Sequence, residues 1–516
     1  VIDALVVVAY LAAVLWIGLR WSRGQGSARE GFSEFAVGGR GIPAWAVLFS
    51  IIAAETSAAT FLGMPGEAYA LRNWTYLQLV VGLVLGRVLV AWLFLKPYYE
   101  HGVFSIYEFL GVRFGPRTRQ AASATFLVTR LLASGTRLYV AAIVLAVLIR
   151  LLRGEAMTQG EELALYLVSI VAMTALTAIY TALGGIRAVI WTDVLQSTLM
   201  IGGAVVACWV LVSRIDGGLA GAGAALGGFS NIQLWEWGGN LRQVLEAKYT
   251  VWAAFIASTV MTMATHGTDQ DMVQRMLCAP DVKKSRRSLV LSGVADLPIV
   301  FLFLSVGLLL WVFYQQRPDP ELPAKTNEIF AYFILKEMPR GLRGLLIAGV
   351  FATAMGSLSA ALNALATSFV RDWHFPLAGR LLRGERGSWD ELRAAKFYTV
   401  VFSVLMVLVA GATAYLVILE PESRIIPIAL GVFGYTYGSL LGVFLLGTLT
   451  RTRGTDRGNL VAMLVGALVV CSLSGVPGFP RWEALPVISF PWRVLAGALV
   501  TFGVGVCFPR NWPRSV

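Results

Sequence analysis

Apolar residues in this chain gather into runs of about eighteen or more, separated by short polar stretches, from one end to the other. A run of that length with few charges is what an α-helix needs to cross a bilayer. The pattern predicts about thirteen such helices. They fall near 1–19, 43–71, 74–97, 121–150, 160–182, 186–214, 247–275, 288–316, 341–372, 396–418, 425–449, 457–474 and 488–508. The stretch FSIYEFLGVR, Phe104 to Arg113, reads as a short amphipathic helix lying at the membrane interface. No segment between spans is long enough for a catalytic domain.

Several spans carry features that lipid alone does not require. The second, SIIAAETSAATFLGMPGEAY from Ser50 to Tyr69, places Glu55, Thr56, Ser57 and Thr60 near mid-membrane with Gly63, Pro65 and Gly66 behind them. A helix interrupted there exposes unpaired carbonyls on one half and unpaired amides on the other, suited to a cation and to an anionic or polar group. A merely kinked helix, its hydroxyls bonded back to its own backbone, fits the same residues.

The seventh span ends THGTDQDMVQR, with Thr265, His266 and Asp269 around Gly267, a second place for a break. The ninth, Gly344 to Phe369, lines one face with Gly, Ala, Ser and Thr, which suits close helix packing and also offers Ser357 as a hydroxyl to a cation. Asp193 lies just inside the sixth span, where an acid needs a partner; capping or an interhelical hydrogen bond would satisfy it. Arg130 and Arg137 are seven apart on the fourth span, hence on one helix face, and either a structural ion pair or an anion site accounts for them.

Composition agrees with lipid as the main solvent: 57% of the 516 residues are hydrophobic and 14% charged, with a mean hydropathy of +0.70. The formal charge of +12 suggests nucleic acid until its distribution is read. Lys and Arg cluster in short loops between apolar runs and form no single basic face. About 25 fall in one alternate set of loops and about 14 in the other. That asymmetry puts the N-terminus outside and the C-terminus in the cytoplasm of a cell (inner) membrane. The four cysteines, Cys208, Cys278, Cys471 and Cys507, show neither metal spacing nor a disulfide pattern and read as packing residues. The first apolar run lacks a basic n-region and a small-residue cleavage site, which argues against a signal peptide.

Five blocks, GGRGIPAWAVLFSIIAAETSAATFLGMPG, FSIYEFLGVRFGPRTR, YTALGGIRAVIWTDVLQ, GTDQDMVQRML and GLRGLLIAGVFATAMGSLSAALNALATSFVRD, occur in this order. With them the chain resembles the sodium/solute symporter family over nearly its whole length, a family of sodium-coupled sugar, proline, sialic acid, iodide and vitamin transporters. The resemblance implies an all-α integral membrane protein with a LeuT-type core of two inverted five-helix repeats. These would occupy 43–214 and 215–450, preceded by a first helix and cytoplasmic loop at 1–42 and followed by two helices at 451–516. It implies a sodium ion held by carbonyls of Ala53, Thr56 and Thr353 and by the side chains at 356 and 357.

Here the sequence departs from the family, because Gly356 has no side chain beside Ser357; the hydroxyl of Thr56 is an added oxygen. Some relatives hold a second sodium near the acid that corresponds to Asp193. Of that set only Asp193 and Ser359 are present, Gly356 and Ala360 replacing hydroxyls, so one sodium per cycle is expected.

Sugar-binding relatives use a Glu-Gln pair where this chain reads Ala59 and Thr60. Relatives that hold a carboxylate use hydroxyls, a glutamine and an arginine. Ser57, Thr60, Gln78 and one of Arg130 or Arg137 resemble that set, with Thr265 and His266 nearby at the second break. The expectation is therefore sodium-coupled symport of a small polar solute bearing a carboxylate: an acidic sugar, a monocarboxylate or an amino acid. A neutral sugar symporter is the nearest alternative, and a sodium-independent facilitator, channel or sensor is the alternative of another class. A sensor of this family would carry a signalling domain, and the chain ends about eight residues past its last span. No motif joins the three histidines, His101, His266 and His374, to a nucleophile or a metal, which argues against an enzyme. The partners expected are the solute, its sodium and the bilayer, with neither nucleic acid nor a required protein partner.

Overall fold

A computed structural model describes residues 2–20, 28–56, 58–153, 157–247, 249–377, 390–419, 431–476, 479–480 and 487–509. It is all-helical, and the described residues pair as strands nowhere beyond one isolated bridge, Arg453 with Pro509. The α-helices are α1 (Ile2–Arg20), α2 (Ala28–Val37), α3 (Ala44–Glu55), α4 (Ala58–Leu71), α5 (Leu79–Leu93), α6 (Leu95–Glu100), α7 (Tyr107–Arg113), α8 (Pro116–Arg153), α9 (Gln159–Arg214) and α10 (Gly218–Ala225). They continue as α11 (Leu241–Glu246), α12 (Thr259–Gly267), α13 (Gln270–Leu277), α14 (Val282–Gln316), α15 (Thr326–Lys336), α16 (Leu342–Phe369), α17 (Glu391–Leu419), α18 (Val432–Leu449), α19 (Gly458–Leu473) and α20 (Phe490–Val506).

Eight stretches among the described residues are long and apolar enough to cross a bilayer unaided. The remaining expected spans are broken, fused or short. Residues 43–71 divide into α3 and α4, and 247–275 into α12 and α13 after a π-helical turn at Ala253–Ser258. The fifth and sixth spans are fused in α9 and parted only at Gly185, whose φ of 58° and ψ of −155° leave the helix. A side chain could not stand there, because a Cβ on Gly185 would lie 2.6 Å from the Cα of Phe35. Helices α19 and α20 fall short of a full span on their own.

Trp16, Trp92 and Trp209 are well over half exposed on an otherwise apolar outer surface, as lipid-facing side chains should be. Inside, α14 packs on α3, α4 and α5, while α8 packs on α16, α17 and α18. These two groups of helices form different walls around the centre. Close approach is set by small residues: a Cβ on Gly86 of α5 would come within 2.5 Å of the Cβ of Thr262 on α12.

The segment expected at the membrane interface packs one face into the protein core. Tyr107 and Leu110 of α7 are fully buried, the Tyr107 ring packs tilted against Phe126 and edge-to-face against Phe444, and its hydroxyl donates to the carbonyl of Thr268, 3.2 Å away. Amphipathicity is the same for a helix lying on lipid and for one lying on other helices, which is why the pattern could not separate them. All four cysteines are free, with Cys278 buried and Cys507 exposed.

Candidate functional site: a cavity between two broken helices

Helix α3 stops at Glu55. Thr56 is extended (φ −91°, ψ 98°), its amide still donating to Ile52 O at 3.2 Å, and the chain re-enters a helix at Ala58. The break thus sits among the hydroxyl residues and not at Pro65, which α4 accommodates inside its own length. Gly66 there serves packing, since a Cβ on it would lie 2.7 Å from Thr326 O.

The second break is at Thr268 and Asp269, between α12 and α13, where the Asp269 carboxylate caps the new helix by accepting from the Asp271 amide at 2.9 Å. Broken ends of this kind carry free backbone dipoles, carbonyls from one half and amides from the other.

Between the breaks lies a cavity of about 330 Å³, at the lower end of the size range of small-molecule sites. Glu55, Thr56 and Thr60 reach it from the first break, and Thr265, His266 and Asp269 from the second; Arg87, Asp296, Tyr76, Phe433 and Tyr437 also line it. Both Arg130 and Arg137 face it from α8, with their guanidinium carbons 5.2 and 5.1 Å from the Phe433 ring centroid.

The two arginines differ in their partners. Arg130 is paired with Asp269 and lies 3.1 Å from Asp271, and Tyr437 donates to the same Asp269 carboxylate at 2.6 Å. Arg137 is half-buried and has no carboxylate within ion-pair distance among the described residues. It also borders a second, much smaller space of about 10 Å³ beside Ser134 and Ser357, room for about one water-sized occupant.

On another wall a buried charged group fills the membrane interior. Arg87 of α5 is completely buried; its Nη2 bonds Glu55 Oε2 at 2.5 Å and lies 2.6 Å from Asp296 Oδ2. The Nε2 of His266 contacts the same Glu55 carboxylate, while its Nδ1 lies 3.0 Å from the Thr265 hydroxyl. The sequence reading passed over Arg87 and Asp296. Each stands as the one charge in the middle of a long apolar run, a signal sufficient to mark it.

Other expected residues are elsewhere or beyond description. Gln78 is buried away from the cavity, donating to Tyr249 O at 2.8 Å and accepting from the Glu236 amide at 3.4 Å, so it holds the 233–251 segment in place. Ser57 and the side chain of Ala59 lie outside the described residues.

For the expected sodium ligands, Ala53, Thr56 and Thr353 are buried where α3 and α16 pack together. The hydroxyls of Thr353 and Ser357 donate back to Val350 O (2.9 Å) and Ala354 O (3.1 Å), which leaves their lone pairs free for a cation.

At Gly356 two acceptors converge. Gln196 Oε1 lies 2.6 Å, and Asp193 Oδ1 3.5 Å, from the point a Cβ there would occupy. Both oxygens are buried without a hydrogen-bond donor. Ser359 donates to Gly356 O at 3.0 Å close by. Orphaned buried oxygens next to a missing side chain fit a hard cation.

The other oxygen of Asp193, Oδ2, accepts from Ser50 at 2.5 Å and faces Arg275 at 3.3 Å. The acid is thereby already partnered, as its depth requires.

Comparison with known proteins finds relatives over most of the chain. Residues 35–466 match the model of the sodium:solute symporter family. The chain is 30% identical over 478 residues to the sodium/sialic acid symporter SiaT of Proteus mirabilis, covering 91% of this chain and 88% of that one. It is 31% identical over 479 residues to the sodium/sialic acid symporter NanT of Aliivibrio fischeri, covering 91% and 85%. A solved structure of a Na+-coupled sialic acid symporter, substrate-bound and outward-open, superposes with a TM-score of 0.80 at 26% identity over 99% of both chains. The broken helices therefore belong to a LeuT-type core, and the chain is a multi-pass membrane protein and a member of the sodium:solute symporter family.

Proposed function

We propose that this protein is a secondary active transporter that couples sodium entry to uptake of a small carboxylate-bearing solute by alternating access. The observation that carries the solute class is Arg137, a guanidinium bordering the cavity with no acid in contact among the described residues, next to an Arg130 that two aspartates already neutralise. A bare guanidinium in a low-dielectric cavity favours an anionic ligand, and its planar fork matches a carboxylate through two parallel hydrogen bonds. Relatives named as sialic acid symporters support this, since sialic acid is an acidic sugar.

Sodium coupling rests on the family and on the oxygens at Ala53, Thr56, Thr353, Ser357 and Gln196. When bound, the ion supplies positive charge next to the α3–α4 break and holds α3 against α16, and the protein's part is to offer oxygens and exclude water. The protein sits in the cell (inner) membrane with its N-terminus outside and its C-terminus in the cytoplasm, as the unequal loops of Lys and Arg imply. It works as a transporter and not as an enzyme.

The test is thermal stabilisation of the purified protein by acidic sugars, monocarboxylates, amino acids and neutral sugars, with sodium and with potassium in its place. Carboxylates should raise the melting temperature in sodium only. Stabilisation by neutral sugars in sodium, with none from carboxylates, would overturn the solute class. Equal stabilisation in potassium would overturn the coupling.

A further inference from the structure

The cavity has a second polar wall that a simple carboxylate leaves unused. On it Glu55 and Asp296 share one guanidinium, that of Arg87. Glu55 has the Nε2 of His266 as a further contact, whereas Asp296 has no other cation in ion-pair contact among the described residues. An uncompensated carboxylate at membrane depth is costly, so the wall calls for a cationic group to stand against it. Both acids open to the cavity, their side chains 18% and 11% exposed.

An independent feature marks the same place. The Thr262 hydroxyl lines the cavity, is buried and has no hydrogen-bond partner. It lies one helical turn before His266 on α12 and packs against α5 at Gly86, next to Arg87. An unsatisfied hydroxyl is a ready acceptor for an N–H group, and the two carboxylates are acceptors that carry charge.

We propose that the transported solute is zwitterionic, with a protonated nitrogen seated against Asp296, Glu55 and Thr262 while its carboxylate faces Arg137. This rests on the carboxylate reading above and narrows it to an amino acid or a related amino-carboxylate. The two ends of such a molecule match the two walls: α8 presents a guanidinium with no acid among the described residues, and α5 with α14 presents a guanidinium shared by two acids.

The test uses the full-length protein in sodium and compares matched sets of probes by thermal shift: L-alanine, L-proline and L-phenylalanine, the N-acetyl form of each, propionate and 3-phenylpropionate as amine-free counterparts, and N-acetylneuraminate. At least one free amino acid should bind about tenfold or more tightly than its N-acetyl and amine-free counterparts. Asp296→Asn should erase that preference while leaving carboxylate binding. If that variant does not fold, Glu55→Gln provides the same comparison.

Amine-free carboxylates, N-acetyl amino acids or N-acetylneuraminate binding as well as or better than the free amino acids would overturn the zwitterion and leave the carboxylate reading standing. A panel in which no carboxylate of any kind shifts the protein would overturn both. Loss of apo stability in Asp296→Asn, with the preference for the free amine intact, would assign the acid to structure alone and overturn its role here.

Discussion

Gln196 Oε1 stands 2.6 Å from where a Cβ on Gly356 would be, a buried acceptor with no donor, at the position where the family's pattern places a hydroxyl. The amide oxygen of a long side chain on α9 thus reaches the spot that a short side chain on α16 does not fill. We propose that this oxygen stands in for the missing sodium ligand.

Gln196→Leu should therefore raise the sodium concentration needed for half-maximal stabilisation by about tenfold, because it removes an oxygen at nearly constant volume. Adding Gly356→Ser to a Gln196→Ala variant, which frees the space beside residue 356, should restore most of the loss by supplying a hydroxyl there. Sodium titrations followed by melting temperature check both. A Leu variant with an unchanged midpoint would remove Gln196 from the ion site.

Ser357→Ala should raise the sodium requirement in the same way, the hydroxyl being the one side-chain oxygen that the motif retains at this pair of positions. Sodium dependence of uptake in proteoliposomes is the measurement. An unchanged dependence would reject this site.

Asp193→Asn should leave the protein folded and transport weakened, with sodium binding retained. Its carboxylate already faces Arg275 and Ser50, and Arg275 keeps Asp271 at 2.6 Å. The charge moved per solute, corrected for the solute's own charge, should correspond to one sodium. A ratio of two would contradict this.

Arg137→Lys should cost a large part of the solute affinity, about tenfold or more, with the apo melting temperature nearly unchanged. Arg130→Ala should do the opposite, lowering stability by about 3–5 kcal/mol because Asp269 is left buried without its cation while Asp271 keeps Arg275. Melting curves with and without solute separate the two arginines, and a parallel loss of apo stability in both would make Arg137 a structural residue.

Much of this was legible in the chain because lipid leaves few ways to accommodate a polar residue. Glu55 and Asp269 stood out at mid-membrane, and both breaks fall beside them. The seven-residue spacing of Arg130 and Arg137 placed both on one cavity wall. Which of them is paired was not legible, since that depends on Asp269 and Asp271 arriving from a helix about 140 residues away in sequence.

Gln78 misled for a similar reason: a glutamine at a helix start serves a loop as well as a ligand, and only the position of Tyr249 decides. Gln196 escaped notice although it lies three residues beyond Asp193, on the same helix face. Its meaning comes from the side chain that Gly356 lacks, and no single position displays it.

Arg137 borders both the solute cavity and the small space beside Ser357. With the solute in the one and the ion near the other, one side chain would face both occupants, and a shift made for either would be felt by the other. Thermodynamic linkage then makes the effect mutual: whatever factor sodium adds to solute affinity, solute must add to sodium affinity. Coupling of that kind would protect a carrier against leak, because a site holding only one passenger would lack the full set of contacts that favours closing around it. Scarcity of either passenger then slows the carrier instead of letting the sodium gradient run down unused.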